Sequence, residues 1–236
     1  MFKKILIPVD DSSCSKYAAG IGLELAKKFK AQVLITHVIA DLPTVYATSN
    51  WGEALLEQGE KLLDSYRQNQ ENLNLETLAV KSLDTAQGII QIAQNNYCDL
   101  IVIGTHGRRG IAHAFLGSVA ERVIRLSTLP VILIRQAKAA EHQTVPSLWQ
   151  RIMVAIDGSE ASHKALSYAD QLAQSNQAEL HLIHVIPDLP PPLVDPLGVG
   201  GMAASFTYGD ALKELEREAR IVMEVAGAEI KCEKTF

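Results

Sequence analysis

Sliding the chain against itself by 147 residues lays Ile5–Pro43 over Ile152–Pro190 without a gap. Asp10 then meets Asp157, Ser12 meets Ser159, Ser15 meets Ser162, and Leu25-Ala26 meets Leu172-Ala173. His37-Val38-Ile39 recurs as His184-Val185-Ile186, and Asp41-Leu42-Pro43 as Asp188-Leu189-Pro190. Farther on, Trp51-Gly52-Glu53-Ala54-Leu55 echoes Tyr208-Gly209-Asp210-Ala211-Leu212 at an offset of 157, so the second copy carries ten extra residues in its loop Pro190–Gly201. A repeat this long reads as a tandem duplication, and any fold assigned to the first copy must begin again in the second.

In the first copy Ile5–Val9 reads as a buried strand, Ser13–Phe29 as an amphipathic helix and Gln32–Ile39 as a second strand. Asp41–Asn50 is expected as a loop, Trp51–Gln68 as a helix and Leu73–Val80 as a third strand. Asp84–Asn96 reads as a helix, with Asp84 and Gln87 in capping-box spacing. Leu100–Ile103 is a short apolar strand, Ser118–Leu126 a helix and Val131–Ile134 a last strand. Strands alternating with helices predict an α/β fold, a doubly wound, open parallel sheet with right-handed crossovers.

The second copy follows the same order as far as Glu229–Cys232, expected as its third strand, and has no counterpart of strands 4 and 5 or of the loop between strand 4 and the next helix. Such a three-stranded remnant would leave its first strand as an open edge. The expected division is a complete domain over residues 1–136, a polar linker over 137–150 and a partial second domain over 151–236. Two full copies would need roughly 290–300 residues, so either the pair is shortened, which is the expectation, or a half-domain is used as such.

With 47% hydrophobic and 21% charged residues, the chain has the apolar content of a globular protein with a real core. No apolar run approaches the roughly 18 residues of a membrane span. The start, Met1-Phe2-Lys3-Lys4-Ile5-Leu6-Ile7-Pro8, lacks the apolar length of a signal peptide. A net charge of −5 argues against a general nucleic-acid binder. A cytoplasmic protein without nucleic-acid or membrane partners is expected. Residues 1–136 carry net +1 and residues 137–236 net −6, so an anionic ligand is better served by the first copy.

The segment Ile103-Gly104-Thr105-His106-Gly107-Arg108-Arg109-Gly110, continuing to Leu116-Gly117-Ser118, leaves strand 4 and enters a helix. Gly104 and Gly107 permit positive φ and close backbone approach, so consecutive N–H groups can form an anion nest. Gly117-Ser118 opens the next helix, where free N–H groups and the macrodipole favour phosphate. Arg108 and Arg109 can add charge-assisted contacts. In open parallel sheets ligands bind beyond the carboxyl ends of strands, where the strand order reverses. Asp10 ends strand 1 and Gly104 ends strand 4. A carboxylate suited to ribose hydroxyls would then face a phosphate nest, and the backbone of Val38, ending strand 2, can read a base edge. The residue types suit a nucleotide. A plainer account stays open, in which Ser118 with Glu121 is a capping box and Asp10 caps the helix near Ser13.

Other constellations carry less. His181 and His184 lie three apart on a strand, on opposite faces. His37 and His184 read as core positions at strand ends. His106 and His113 lack nearby Cys or acidic partners for a metal site, so none is expected. Neither G-x-x-x-x-G-K-[ST] nor G-x-S-x-G occurs, and no catalytic residue is assigned. Cys14, Cys98 and Cys232 form no framework.

The spacing G-x2-G-x9-G-[ST] at Gly104, Gly107 and Gly117-Ser118, with Pro8-Val9-Asp10 and His37-Val38-Ile39, resembles the ATP-binding signature of the universal stress protein family. The resemblance covers residues 1–136 fully and 151–236 as the start of a second domain. It implies a five-stranded sheet ordered 3-2-1-4-5, binding ATP, or ADP or AMP, with Mg2+ a candidate companion. It implies that Asp10 holds the ribose and the Val38 backbone the adenine, with Pro8, Val9 and Ile103 lining the pocket. Gly104, His106, Gly107, Arg108, Gly117, Ser118 and Val119 would surround the phosphates. It also implies a homodimer through Val131–Ile134. Asp11 departs from the pattern, since the second copy has the more usual Gly158 there.

Three functions follow as expectations. The first is a nucleotide-binding regulatory module of the stress response. The second is a slow ATPase or adenylate-handling enzyme, with His106 or His113 as base. The third is a ligand-free interaction module, the leading reading for the second copy.

Overall fold

The computed structural model describes residues 2–40, 51–68, 73–105, 116–135, 149–186 and 201–230. The chain divides into two compact units, Met1–Leu148 and Trp149–Phe236.

The first unit runs β1 (Lys4–Pro8), α1 (Ser13–Phe29), β2 (Gln32–Ala40), α2 (Trp51–Arg67), β3 (Leu75–Ser82), α3 (Thr85–Asn95), β4 (Leu100–Gly104), α4 (Ser118–Leu126) and β5 (Val131–Ile134). All the pairings are parallel and the order is β3-β2-β1-β4-β5, the reversal falling between β1 and β4. The central strands are buried on both faces, as their unbroken apolar runs require. Leu6, Leu34, Ile101 and Ile103 pack under α3 and α4 through Ala86, Ile89, Ile92, Ala120 and Val123. On the other face α1 lies so close that a Cβ on Gly22 would stand 2.6 Å from Ile7.

The helices begin where their caps dictate. The Ser12 hydroxyl accepts the Ser15 N–H to start α1, and Asp84 accepts the N–H groups of Ala86 and Gln87 to start α3. Asp84 also pairs with Arg122 of α4, tying the two helices together.

The ladders are unequal. Five residue pairs join β1 to β2, from Lys4↔Gln32 to Pro8↔Thr36. β1 and β4 share only Ile5↔Leu100 and Leu6↔Ile101. Below that seam the Asp99 carboxylate accepts the N–H groups of Lys3 and Lys4 at 2.7 and 3.1 Å. Above it the strands part and leave an opening.

The second unit holds β6 (Arg151–Ala155), α5 (Glu160–Asn176), β7 (Glu179–Ile183) and α6 (Gly201–Glu229). β6 and β7 form a two-stranded parallel sheet. β6 and α5 begin and end 147 residues after β1 and α1, and both helices close on a left-handed residue, Lys30 at φ 53° and Gln177 at φ 54°. The third strand expected at Glu229–Cys232 is corrected. Glu229 closes α6, and Lys231 and Cys232 lie outside the described residues. Val222, Ala226 and Ile230 recur every four residues and pack on Val154, Ile156 and Leu166, a helical period.

Among the described residues of this unit, only one face of the sheet is covered. Arg151, Met153 and Ala155, with Glu179, His181 and Ile183, are exposed on the other. In the first unit four of the six matching positions, Leu6, Pro8, Leu34 and Thr36, are buried, the two leucines under α3 and α4, while Lys4 is half-buried and Gln32 exposed. Among the described residues no helix is long and apolar enough to cross a membrane.

Candidate functional site

Where β1 ends, the chain makes a turn held by its own polar groups. The Asp10 N–H donates to Ser15 Oγ at 2.8 Å. Asp10 Oδ1 accepts from the Ser12 N–H at 3.1 Å and the Ser12 hydroxyl at 2.5 Å. Ser12, not Asp10, caps α1, which corrects the plainer account; Asp10 braces the turn before the helix through Ser12. Its Oδ2 has no hydrogen bond among the described residues.

One strand over, Val9 N–H donates to Thr36 O at 2.8 Å, so the polar backbone groups of Thr36 point towards β1. Two residues on, those of Val38 point the same way by the period of a strand. β1 has ended at Pro8, opposite Thr36, so on that side Val38 faces the opening, while β3 pairs with it through Val80 on the other. His37 closes the join, its Nδ1 lying 2.7 Å from Val9 O. A carbonyl only accepts, so Nδ1 carries the proton.

On the far side, Thr105 N–H donates to Ile134 O at 2.9 Å, and Gly117 N–H donates to Thr105 O at 2.7 Å. These bonds seat the start of α4 against the end of β4. Two expectations are corrected here. Gly104 does not adopt positive φ; it is small because a Cβ would stand 3.1 Å from the backbone oxygen and sulfur of Cys14 in α1. Nor do Ser118 and Glu121 form a capping box. Gly117 is the N-cap, without a side-chain hydrogen bond, and Ser118 is the first helical residue. The reason is spacing: a box would need Ser118 one position earlier, where the bond to Thr105 holds Gly117. The first N–H groups of α4 therefore have no side-chain acceptor from the cap.

These parts surround one cavity of about 870 Å³. Pro8, Val9, Asp10, Val38, Ile103, Gly104, Gly117, Ser118 and Val119 all line it. His106, Gly107 and Arg108 lie outside the described residues. The cavity also takes in residues the sequence reading missed, among them His37, Gly59, Thr85 and Ile89. His37 is half-buried and faces the cavity instead of being a core residue. The available signal was a polar residue repeated 147 positions apart inside an apolar strand. Asp11 is exposed at the rim. Its backbone keeps negative φ, whereas Gly158 at the same place in the second unit has φ 79°, so the turns differ there.

The negative charge at Asp10 reaches inward. Tyr66 has its hydroxyl buried without a hydrogen-bond partner among the described residues. Burial, reinforced by the Asp10 charge, pushes that phenol up to about 12. No group of three or more His, Cys, Asp or Glu side chains suited to a metal ion occurs among the described residues.

The second unit repeats the turn. Ser159 N–H donates to Asp157 Oδ1 at 2.9 Å, Asp157 N–H to Ser162 Oγ at 3.4 Å, and His184 Nδ1 to Ile156 O at 2.6 Å. The hydroxyl and N–H of Ser159, then the Ser162 hydroxyl, hold the Asp157 carboxyl down at about 2.

A profile of the universal stress protein family matches residues 1–135 and again 148–234. Universal stress protein MJ0531 of Methanocaldococcus jannaschii is 34% identical over 145 residues, which cover 58% of this chain and 85% of that protein. Universal stress protein YxiE of Bacillus subtilis is 28% identical over 149 residues, 57% of this chain and all of the relative. Among solved structures, a universal stress protein from Archaeoglobus fulgidus DSM 4304 has a TM-score of 0.64 at 25% identity, covering 86% of this chain and 73% of that one.

Proposed function

This chain belongs to the universal stress protein family, and from that premise we propose that its first unit is an adenine-nucleotide-binding module of the stress response, with ATP, ADP or AMP as a regulatory ligand. The observation that carries the reading is the cavity itself. It joins a carboxylate oxygen of Asp10 with no hydrogen bond among the described residues, the backbone of Val38 on its side away from β3, and a helix start with no side-chain cap. Each answers a different part of a nucleotide. A carboxylate accepts from ribose hydroxyls, and a strand backbone offers one donor and one acceptor to a base edge. The N–H groups at Ser118 and Val119, with the helix dipole behind them, suit phosphate.

Pro8, Val9 and Ile103 supply apolar walls, and about 870 Å³ lies within the roughly 300–1,000 Å³ of small-molecule pockets. The motif assigns His106, Gly107 and Arg108 to the phosphates as well. Mg2+ would be carried by the phosphates, with at most one or two carboxylates of the chain.

Regulation requires that the nucleotide bind two states of the protein with different affinity. We read β5, an edge strand of the sheet, as the line along which two chains pair. Light scattering is expected to give a dimer, and a monomer overturns that pairing. For the second unit we propose an interaction role, because Met153 and Ile183 stand exposed on one face of its sheet.

Mass spectrometry of small molecules released on denaturing the purified protein tests the central reading. Near-stoichiometric adenine nucleotide is expected. An empty protein that also gives no thermal shift with ATP and Mg2+ overturns it. Phosphate release above buffer would make the module a slow ATPase.

A further inference from the structure

The cavity has a flank under α2 that the glycine motif does not touch, lined by His37, Ile39, Leu55, Gln58, Gly59 and Leu62. Gln58 is exposed, and apart from it His37 is the flank's polar side chain. Its ring is held on two sides. Nδ1 donates to Val9 O at 2.7 Å, and the Cδ2 edge lies where a Cβ on Gly59 would stand 3.0 Å away. A neutral imidazole whose Nδ1 carries the proton keeps Nε2 as an acceptor. That nitrogen has no hydrogen bond among the described residues. The next residue is Val38, whose backbone faces the same opening.

We propose that His37 is a specificity residue that selects a 6-amino purine over a 6-oxo purine; the proposal rests on the nucleotide reading above. An exocyclic amine donates to Nε2, whereas a 6-oxo group sets lone pair against lone pair. A polar site of this kind rejects the wrong partner because two acceptors are left unpaired. His184 makes the same carbonyl bond at 2.6 Å in the second unit, so that bond is a shared strand-end device. In the first unit the ring also lines the cavity.

Calorimetric titration of the full chain with ATP and with ITP tests this, since the two differ only at the 6-position and its neighbouring ring nitrogen. Wild type is expected to favour ATP by about tenfold or more. His37→Asn places an amide nitrogen where Nδ1 sits, keeping the bond to Val9 without a second ring nitrogen. It is expected to melt within a few degrees of wild type while the preference falls several-fold, to what the Val38 backbone alone reads. His37→Gln, which returns a side-chain oxygen near the Nε2 position, is expected to keep part of the preference and decides the matter if the asparagine variant does not fold. A wild-type ATP-to-ITP ratio in a folded His37→Asn protein overturns the proposal, as does equal binding of both by wild type. Wild type binding neither overturns the nucleotide reading as well, so the two failures are distinguishable.

Discussion

Leu6 and Met153 occupy the same place in their repeats, yet Leu6 is fully buried and Met153 is 69% exposed. Beside them several local bonds are the same in both units, although the turns differ at Asp11 and Gly158. The imidazole-to-carbonyl bond is 2.7 Å in one unit and 2.6 Å in the other, and the backbone bond beside it is 2.8 Å in both. The aspartate turn recurs at 3.1 and 2.9 Å. Strand, turn and capped helix are thus made by neighbours in the chain. Burial of the sheet's second face, and the cavity at its rim, depend on α3, β4 and α4.

The largest expected effect sets those two positions against each other. Leu6→Ala should cost about 2–5 kcal/mol by chemical denaturation, because it empties space under α3 and α4. Met153→Ala should stay within about 0.5 kcal/mol. Equal costs would break the comparison.

The two aspartates come next. Asp10→Asn should weaken ATP binding about tenfold or more by calorimetry, since an amide still serves the turn but loses the charge offered to ribose hydroxyls. Asp157→Asn should leave that affinity unchanged, and a matching loss from it would put the ligand in the wrong unit.

Acid titration sharpens the difference from the other side. The Asp157 carboxyl sits at about 2 when folded, below its ordinary value of 3.8. A depressed folded value means the stabilisation is complete above about 3.8 and is lost as pH falls from there towards 2. Circular dichroism against pH should show a shallower acid loss in Asp157→Asn than in wild type; superimposable curves refute the linkage. The smallest effect is expected at the rim. Asp11→Gly removes a carboxylate beside the proposed phosphate site and should tighten ATP binding a few-fold at low salt, less at high salt. Weaker binding would show that the Asp11 turn, rather than its charge, matters.

Much of the first unit could be read before any coordinates. Ser13–Phe29 and Val131–Ile134 match residue for residue, because a serine cap and a proline-led apolar run are local signals. The strand order came through the resemblance, since periodicity says nothing about which strands are neighbours. The misreadings concern tertiary choices. Whether Ser118 caps or follows the cap depends on Thr105 reaching Gly117. Whether Glu229 is strand or helix depends on Val222, Ala226 and Ile230 meeting the core of the second unit. The need for glycine at 104 lies in Cys14, ninety residues earlier. His37 escaped notice because a lone histidine in an apolar strand is usually only packing, and its carbonyl partner lies across the sheet.

With two residue pairs joining β1 to β4, the sheet is mechanically two ribbons, β3-β2-β1 and β4-β5, stitched at one end by Ile5, Leu6 and Asp99. A molecule lodged across the gap adds a stitch at the other end. Hydrogen exchange would register it as slower exchange at the Val9 and Thr105 amides, one on each ribbon, while amides deep within either ribbon keep their rates. A ligand of this protein would then report itself through how far the sheet breathes, with little change in how it is built.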